Sequence, residues 1–366
     1  MIQSQVQTIG RQARLCGRKL SNLSTIMKNS ALEKMAENLE KSEAFLIREN
    51  TLDVENGRKN GLSKAMLDRL TLDRKRISEM AGGIREIILL PDPVGEVSRM
   101  VRRPNGLQIG RLRTPIGVIG IIYESRPNVT ADVSALCIKS GNAVILKGGS
   151  EAINSNRAIV KILSEAAKEA GLPDFAVQFI DSTSREAVNE MLTLDIYIDL
   201  IIPRGGHSLI RSVMENSTIP VIKHDKGLCH VFIDKYADME KGVRVAVNAK
   251  THRTGVCNAM ETLLVHKEIS ATFLPMVISK LQETGVQLRG CEETRKVSGD
   301  MKPATDEDWD TEYLDSILSI KVVADVDDAI SHITEHGSML AESIVSEKYT
   351  NTWKFLQEVD TTAIYI

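Results

Sequence analysis

Aromatic side chains and long apolar runs are scarce in this sequence. Phe, Trp and Tyr make up only 4% of the 366 residues. The longest apolar stretches, such as Ile116–Tyr123, are far too short to cross a bilayer. Gln, Arg and Lys interrupt the first twenty residues, so no secretory signal is expected. We therefore expect neither a membrane protein nor a secreted one.

The sequence also lacks an excess of either charge, and it lacks closely spaced cysteines. Lys and Arg number 46 against 49 Asp and Glu, a formal net charge of −3. This balance gives no electrostatic reason to expect nucleic acid or an anionic membrane as a partner. The five cysteines are widely spaced and include no Cys-x-x-Cys pair, which disfavours a disulfide framework and a zinc ribbon. We expect a cytoplasmic protein without a metal site.

The sequence does contain a clear alternation of predicted elements. Residues 1 to about 90 have apolar residues at helical spacing, and the stretch 94–114, around Pro104-Asn105-Gly106, predicts a β-hairpin. From residue 116 onward, short apolar runs alternate with helical stretches, which is typical of βαβ units and a parallel sheet. The predicted strands are 116–122, 143–147, 177–180, 198–202, 219–222, 231–234, 262–266, 320–324 and 363–366. This pattern predicts an α/β fold.

Two strand-to-helix junctions are rich in glycine. One is Lys147-Gly148-Gly149-Ser150 and the other is Pro203-Arg204-Gly205-Gly206, while the Gly-x-Gly-x-x-Gly fingerprint is absent. Glycines at the carboxyl end of a parallel strand let a ligand approach the backbone, and helix N-termini favour anions. Spacing alone leaves two interpretations, a nucleotide or phosphate site and a pair of tight turns.

A candidate nucleophile lies in the segment Lys250–Asn258. Cys257 stands in a polar loop containing glycine, with Lys250 and Arg253 nearby in sequence. Cationic neighbours favour the thiolate, which is the nucleophilic form of cysteine. The alternative is a buried structural thiol, which is the commoner fate of cysteine. A Cys-His protease arrangement is disfavoured, because His252 has no Asp or Asn partner at a recognisable spacing.

A third polar segment, Tyr123–Thr130, follows the strongest predicted strand. Arg126 could bind a carboxylate there, and the Asn128 amide could stabilise an oxyanion. The alternative is a polar loop leading into a helix capped by Asn128 or Thr130. Spacing alone favours the cap.

Four long motifs closely resemble one family, the gamma-glutamyl phosphate reductases, also called glutamate-5-semialdehyde dehydrogenases, of the aldehyde dehydrogenase superfamily. The motifs are Pro115–Thr130, Lys139–Gly149, Leu200–Gly206 and Asn248–Asn258, and the resemblance runs along essentially the whole chain. It implies an aldehyde dehydrogenase-like α/β fold with a Rossmann-like cofactor domain, a catalytic domain and a small β oligomerisation flap. We expect these at 1–93 with 115–235, at 236–366 and at 94–114, respectively.

The resemblance implies NADPH-dependent reduction of L-glutamyl 5-phosphate to L-glutamate 5-semialdehyde, in proline biosynthesis. Cys257 is then the nucleophile that expels phosphate and forms a thioester, which hydride reduces to the aldehyde. A homo-oligomer is expected, and glutamate 5-kinase is an expected channelling partner.

The resemblance also assigns the cofactor site. Lys147 matches the lysine that binds the adenosine ribose, and Ser150 stands where NAD-preferring members carry a glutamate. Without that carboxylate, a 2′-phosphate meets no repulsion, so NADP is expected over NAD. The expected cofactor-binding residues are Lys147, Gly148, Gly149, Ser150, Arg204, Gly205 and Gly206.

For the substrate, Asn128 is the match to the superfamily's oxyanion amide. Charge and position place Lys250 and Arg253 near the substrate phosphate and Arg126 at the α-carboxylate. His224 takes the place of the glutamate base that hydrolytic aldehyde dehydrogenases carry, which disfavours hydrolysis.

Two departures from the family leave alternatives open. Family members are expected to continue several dozen residues beyond Ala363–Ile366, and Leu340 and Ala341 replace a polar His-Thr or His-Ser pair. A catalytically incomplete member or an assembly subunit is therefore one alternative, and a hydrolytic semialdehyde dehydrogenase is another.

Overall fold

A computed structural model describes residues 2–124, 126–223, 226–299 and 301–366. The chain divides into two compact units, residues 1–224 and residues 225–366. Among the described helices, none combines the length and the apolar character needed to span a bilayer.

The first unit begins with the expected helices and continues as an alternation of strands and helices. Its helices are α1 Ile2–Leu20, α2 Thr25–Lys41, α3 Glu43–Lys59, α4 Lys64–Leu70, α5 Arg74–Leu89, α6 Asn128–Lys139, α7 Ile153–Glu169, α8 Arg185–Leu192 and α9 His207–Asn216. Its strands are β1 Val97–Arg102, β2 Gln108–Leu112, β3 Val118–Tyr123, β4 Ala143–Gly148, β5 Val177–Phe179 and β6 Leu200–Arg204. The mixed α/β class is confirmed.

Four of these strands form a parallel sheet in the order β5-β4-β3-β6. Every residue of β3 and β4 is buried, because helices cover both faces of a parallel sheet. Tyr123 pairs with Gly148 on one side and with Arg204 on the other, so three strands end level with one another. The two glycine-rich junctions therefore begin at the same edge of the sheet.

The predicted hairpin forms between β1 and β2, which pair antiparallel. Its turn places Gly106 at a φ of 86°, a left-handed conformation that glycine adopts without strain. Its apolar side chains stay largely exposed, namely Val97, Met100, Leu107, Ile109 and Leu112. An oligomerisation role for this hairpin stays a prediction, which sedimentation velocity checks.

The second unit is a seven-stranded sheet with helices on its faces. Its helices are α10 Met239–Thr251, α11 Lys267–Glu283, α12 Glu292–Val297, α13 Asp306–Trp309, α14 Val326–His336 and α15 Tyr349–Glu358. Its strands are β7 Cys229–Ile233, β8 Met260–His266, β9 Gln287–Gly290, β10 Lys302–Pro303, β11 Ile317–Val323, β12 Ala341–Val345 and β13 Ala363–Tyr365. They pair in parallel in the order β10-β9-β11-β8-β7-β12-β13.

Two sequence expectations about the strands need correction. We expected the cofactor domain to extend to residue 235, but the compact units divide at 224/225. The reason is that β7 pairs with β8 and β12, which places it in the second sheet. We also expected a strand at 219–222, where the structure has a single bridge between Ile201 and Val221.

Candidate active site

The first unit contains a cavity of about 660 Å³ at the carboxyl ends of β3 and β4. Lys147, Gly148, Gly149 and Ser150 line one side, and Glu124 contributes another. Ligand pockets in proteins span roughly 300–1,000 Å³ and favour this edge of open α/β sheets. In size and place the cavity therefore fits a nucleotide.

Lys147 lies at the bottom of this edge and is only 5% exposed. Its Nζ donates to the carbonyl of Gly148 at 2.9 Å. Burial lowers the pKa of Lys147, and the nearby Glu151 carboxylate opposes that shift. The expected contact of Lys147 with a ribose stays a prediction.

Packing alone requires a glycine at position 148. A Cβ at this position would lie 2.1 Å from Nδ2 of the buried Asn156. Asn156 is held there because its Oδ1 accepts from Thr130, whose hydroxyl also bonds the Tyr123 hydroxyl at 2.7 Å. This glycine therefore has a packing role, and its expected role at a cofactor stays a prediction.

The second glycine-rich junction contacts the cavity through Glu124. The Gly206 N–H donates to the Glu124 carboxylate at 2.8 Å, and a Cβ at Gly205 would lie 2.4 Å from the same oxygen. Glu124 itself lines the cavity, and its N–H donates to the Arg204 carbonyl. The expected residues Arg204, Gly205 and Gly206 thus lie behind a lining residue.

Sequence reasoning missed a third junction at the cavity. Thr183, Ser184 and Arg185 line it at the start of α8, and Arg185 is exposed, with no ion-pair partner in the described part of the chain. The available signal was that this segment also joins a parallel strand to a helix. It was passed over because it contains no glycine.

The structure keeps Arg126 and Asn128 together at the start of α6. Both are exposed, and the Asn128 side-chain Nδ2 donates to Asp132 at 3.1 Å, one turn further along the same helix. Their expected roles at the substrate stay predictions.

Cys257 lies in the second unit, and of the five cysteines in the chain it is the one that is exposed. Cys16, Cys137 and Cys229 are buried, and burial raises the pKa of each thiol to about 12. Cys291 is half-buried. Exposure therefore selects the same thiol that the motif selected.

Cys257 lies in the loop 252–259, between α10 and β8, at the amino ends of the strands. Gly227 packs against the backbone of this loop, so closely that a Cβ at position 227 would lie 1.9 Å from the Cys257 carbonyl oxygen. The same oxygen accepts a hydrogen bond from Cys229 Sγ at 3.5 Å, and the Gly227 N–H donates to Glu312 at 2.9 Å. Gly227 and Cys229 thus hold the backbone of loop 252–259, which we call the nucleophile loop.

Arg253 and Lys250, the two cations expected near the substrate phosphate, differ in their exposure to solvent. Arg253 is exposed in loop 252–259. Lys250 is 0% exposed, and its Nζ bonds Glu261 at 2.6 Å. A direct contact between Lys250 and a substrate phosphate does not fit this burial, so the expectation for Lys250 is corrected.

Two departures from the family motifs remain, at His224 and at Leu340 with Ala341. His224, which takes the place of a hydrolytic glutamate, lies outside the described residues. Leu340 and Ala341 lie at the start of β12, and the Leu340 carbonyl accepts from the Ala363 N–H.

A buried polar cluster joins β7, β12 and α14. His230 Nδ1 bonds Glu342 Oε2 at 3.0 Å, and the His230 and His332 rings meet edge to face at 5.5 Å. Lys321 Nζ donates to His332 Nδ1 at 2.9 Å, which requires a neutral ring. Burial, together with the charges of His230, Lys321 and His336, lowers the pKa of His332 to about 2.

This low pKa predicts a pH-dependent stability. Unfolding returns His332 to its ordinary pKa near 6.5, so below that pH the unfolded chain binds a proton that the folded chain does not. His332 should therefore lower the free energy of unfolding by about 1.4 kcal/mol for each pH unit below 6.5. The measurement is urea unfolding followed by tryptophan fluorescence, since Trp309 and Trp353 are the only tryptophans and both lie in the second unit. The His332→Asn variant should lose this slope, and equal slopes would contradict the prediction.

The chain matches known proteins along its length. The model of the aldehyde dehydrogenase family matches residues 2–298. Gamma-glutamyl phosphate reductase of Clostridium tetani is 52% identical, over 98% of this chain and 86% of the relative. The enzyme of the same name from Thermodesulfovibrio yellowstonii is 51% identical, over 97% of this chain and 85% of the relative.

Solved structures give the same result. The crystal structure of gamma-glutamyl phosphate reductase from Thermotoga maritima matches with a TM-score of 0.96 at 47% identity, covering 98% of this chain and 87% of that one. An engineered glycolyl-CoA reductase with bound NADP+ matches with a TM-score of 0.69 at 16% identity, covering 98% of this chain and 86% of that one. At that identity the second likeness concerns the fold alone.

Proposed function

Because the chain belongs to the aldehyde dehydrogenase family and, within it, to the gamma-glutamyl phosphate reductases, we propose that it reduces L-glutamyl 5-phosphate to L-glutamate 5-semialdehyde with NADPH. Phosphate is released, and the step belongs to proline biosynthesis. The observation that carries the proposal is the exposed Cys257 thiol on a loop whose backbone Gly227 holds, in a chain 52% identical to a named reductase.

The chemistry of Cys257 follows from the substrate. Its thiolate Sγ attacks the acyl carbon of the mixed anhydride, a C–S bond forms, and the C–O bond to phosphate breaks with the electron pair leaving on phosphate. What bound NADPH contributes is a hydride to the acyl carbon. In the tetrahedral alkoxide that would result, the C–S bond breaks, the electron pair returns to Cys257 Sγ as the thiolate, and the aldehyde is released.

The family uses a nicotinamide dinucleotide, and four residues of the first unit support a site for it. Lys147 offers a buried amine for the ribose, Gly148 and Gly149 add no side chain to the cavity lining, and Ser150 lines the cavity without charge, beside the carboxylate of Glu151. Arg185 lines the same cavity with a cation, which suits a 2′-phosphate. These features favour NADP over NAD.

Ser150→Glu should shift the cofactor preference toward NADH. A carboxylate at this position repels a 2′-phosphate and accepts from a free 2′-hydroxyl, so the ratio of kcat/KM for NADPH to that for NADH should fall at least about tenfold. Ser150→Gln is the matched control, because it adds the same bulk without the charge. An unchanged ratio in Ser150→Glu, or an equal fall in Ser150→Gln, would contradict the assignment.

The reaction itself is tested in reverse, by following NADPH formation from L-glutamate 5-semialdehyde and NADP+ with and without phosphate. Turnover that depends on phosphate supports the proposal. Turnover without phosphate supports a hydrolytic dehydrogenase instead. A folded chain that binds NADPH but does not turn over supports a catalytically incomplete member.

The remaining expectations concern the surroundings of the enzyme. The five free cysteines support a reducing compartment, and we expect the cytoplasm. Association with glutamate 5-kinase also stays a prediction, which co-sedimentation of the two purified proteins checks.

A further inference from the structure

A buried ion pair joins the two elements that flank the nucleophile loop. Lys250 is the second-last residue of α10, Glu261 is the second residue of β8, and the loop 252–259 with Cys257 lies between them. Lys250 Nζ lies 2.6 Å from Glu261 Oε2, and the two residues are 0% and 2% exposed. The pair therefore closes the base of the loop.

Such a pair adds little to stability, because the cost of removing two charges from water offsets their attraction. Burial raises the pKa of Glu261 and lowers that of Lys250, while each partner's charge opposes the shift of the other. The pair is also a charge-assisted hydrogen bond, which is directional, so it restrains the two side chains more closely than an apolar contact would. Its place in the fold suggests a positioning role.

Further contacts link the ion pair to Gly227, which packs against the backbone of loop 252–259. The Leu314 N–H donates to Glu261 Oε1 at 3.2 Å, from a left-handed backbone with a φ of 51° that is unfavourable for leucine. Two residues earlier, Glu312 accepts from the Gly227 N–H, and Gly227 lies against the Cys257 carbonyl. The segment 312–314 thus connects both supports of the nucleophile loop.

We propose that Lys250 and Glu261 are positioning residues that hold loop 252–259 in one conformation, so that the Cys257 thiol is presented to the acyl carbon. This inference rests on the proposed function only in naming Cys257 as the nucleophile. Neither residue needs to touch the substrate. Their effect passes through the two ends of the loop.

The test compares two matched double variants. K250M/E261Q removes the pair while keeping side-chain size and an acceptor for the Leu314 N–H. K28M/D92N does the same to a buried pair in the first unit, where Lys28 Nζ lies 2.5 Å from Asp92 Oδ2 and the side chains are 1% and 10% exposed. The second pair flanks no catalytic segment, so it controls for the general cost of losing a buried pair.

For K250M/E261Q we expect kcat to fall about 10- to 100-fold, because small misplacements of a reacting group are costly. The KM for NADPH should stay within about twofold, since the cavity residues are untouched. Amide hydrogen exchange in 252–259 should accelerate, while exchange in the sheet strands stays unchanged. K28M/D92N should alter neither kcat nor exchange in this loop.

An unchanged kcat and unchanged loop exchange in folded K250M/E261Q would overturn the inference, as would an equal fall of kcat in K28M/D92N. If the double variant does not fold, Glu261→Gln alone is measured. We expect faster amide hydrogen exchange in 252–259 in this variant, and unchanged exchange would overturn the inference. Failure of the proposed function is seen separately. It would appear as absence of phosphate-dependent NADPH formation by the unaltered chain, whereas hydrogen exchange tests the loop whatever the reaction is.

Discussion

Cys257→Ala should abolish reduction of the acyl phosphate while leaving the fold intact. The reaction needs a thiolate that can reach a substrate, and the other four cysteines are buried or half-buried. Loss of a covalent nucleophile lowers kcat by about 10⁴-fold or more. The fold should persist, because the side chain is exposed in a polar loop whose contacts are made by the backbone. Circular dichroism and NADPH binding check that the variant is folded.

The matched control for this variant is Cys291→Ala. Cys291 lies in the same unit, is half-buried, and bonds the Thr294 hydroxyl and the Val322 N–H through its sulfur. Its replacement should leave kcat within about twofold, since it is no part of the proposed reaction. Substantial activity in Cys257→Ala would remove the covalent mechanism from this account.

Gly227→Ala should also lower activity strongly, although Gly227 has no chemistry of its own. The new Cβ would lie 1.9 Å from the carbonyl oxygen of Cys257 and 2.8 Å from the Cα of Cys257. Both distances are shorter than non-bonded atoms can approach. Both contacts are with backbone, so no side chain can rotate away and the nucleophile loop must move. We expect kcat to fall at least about 100-fold.

A second glycine of the same unit separates this steric effect from the general cost of replacing a glycine. A Cβ at Gly299 would meet nothing within 4 Å, so Gly299→Ala should keep normal activity. Both variants are assayed for kcat and for the rate at which iodoacetamide alkylates Cys257. Normal activity and a normal alkylation rate in Gly227→Ala would show that the loop position does not limit the reaction.

Much of the fold could be predicted because it follows from local patterns. The hairpin turn at Pro104-Asn105-Gly106 and the buried runs that became β3 and β4 need only neighbouring residues to be recognised. The partner of a strand is not local information. For that reason β7 was assigned to the first domain, although it pairs with β8 and β12 in the second.

The same distinction explains what was found and missed at the site. Cys257 and Lys147 belong to contiguous motifs, so the sequence could identify them. Gly227 and Glu261 matter because of what they contact across the second unit, and no pattern around them indicates it. Lys250 was interpreted by its charge and its distance along the chain from Cys257, but its buried partner determines what it can contact.

The most direct test of the covalent mechanism is a burst experiment in phosphate-free buffer. The chain is mixed with NADP+ and L-glutamate 5-semialdehyde, NADPH is followed by absorbance, and the acylated peptide is identified by mass spectrometry. A thioester that only phosphate can release predicts one NADPH per active site, an acyl group on Cys257, and steady turnover once phosphate is added. Continued turnover without phosphate, or an acyl group on any other residue, would contradict the account.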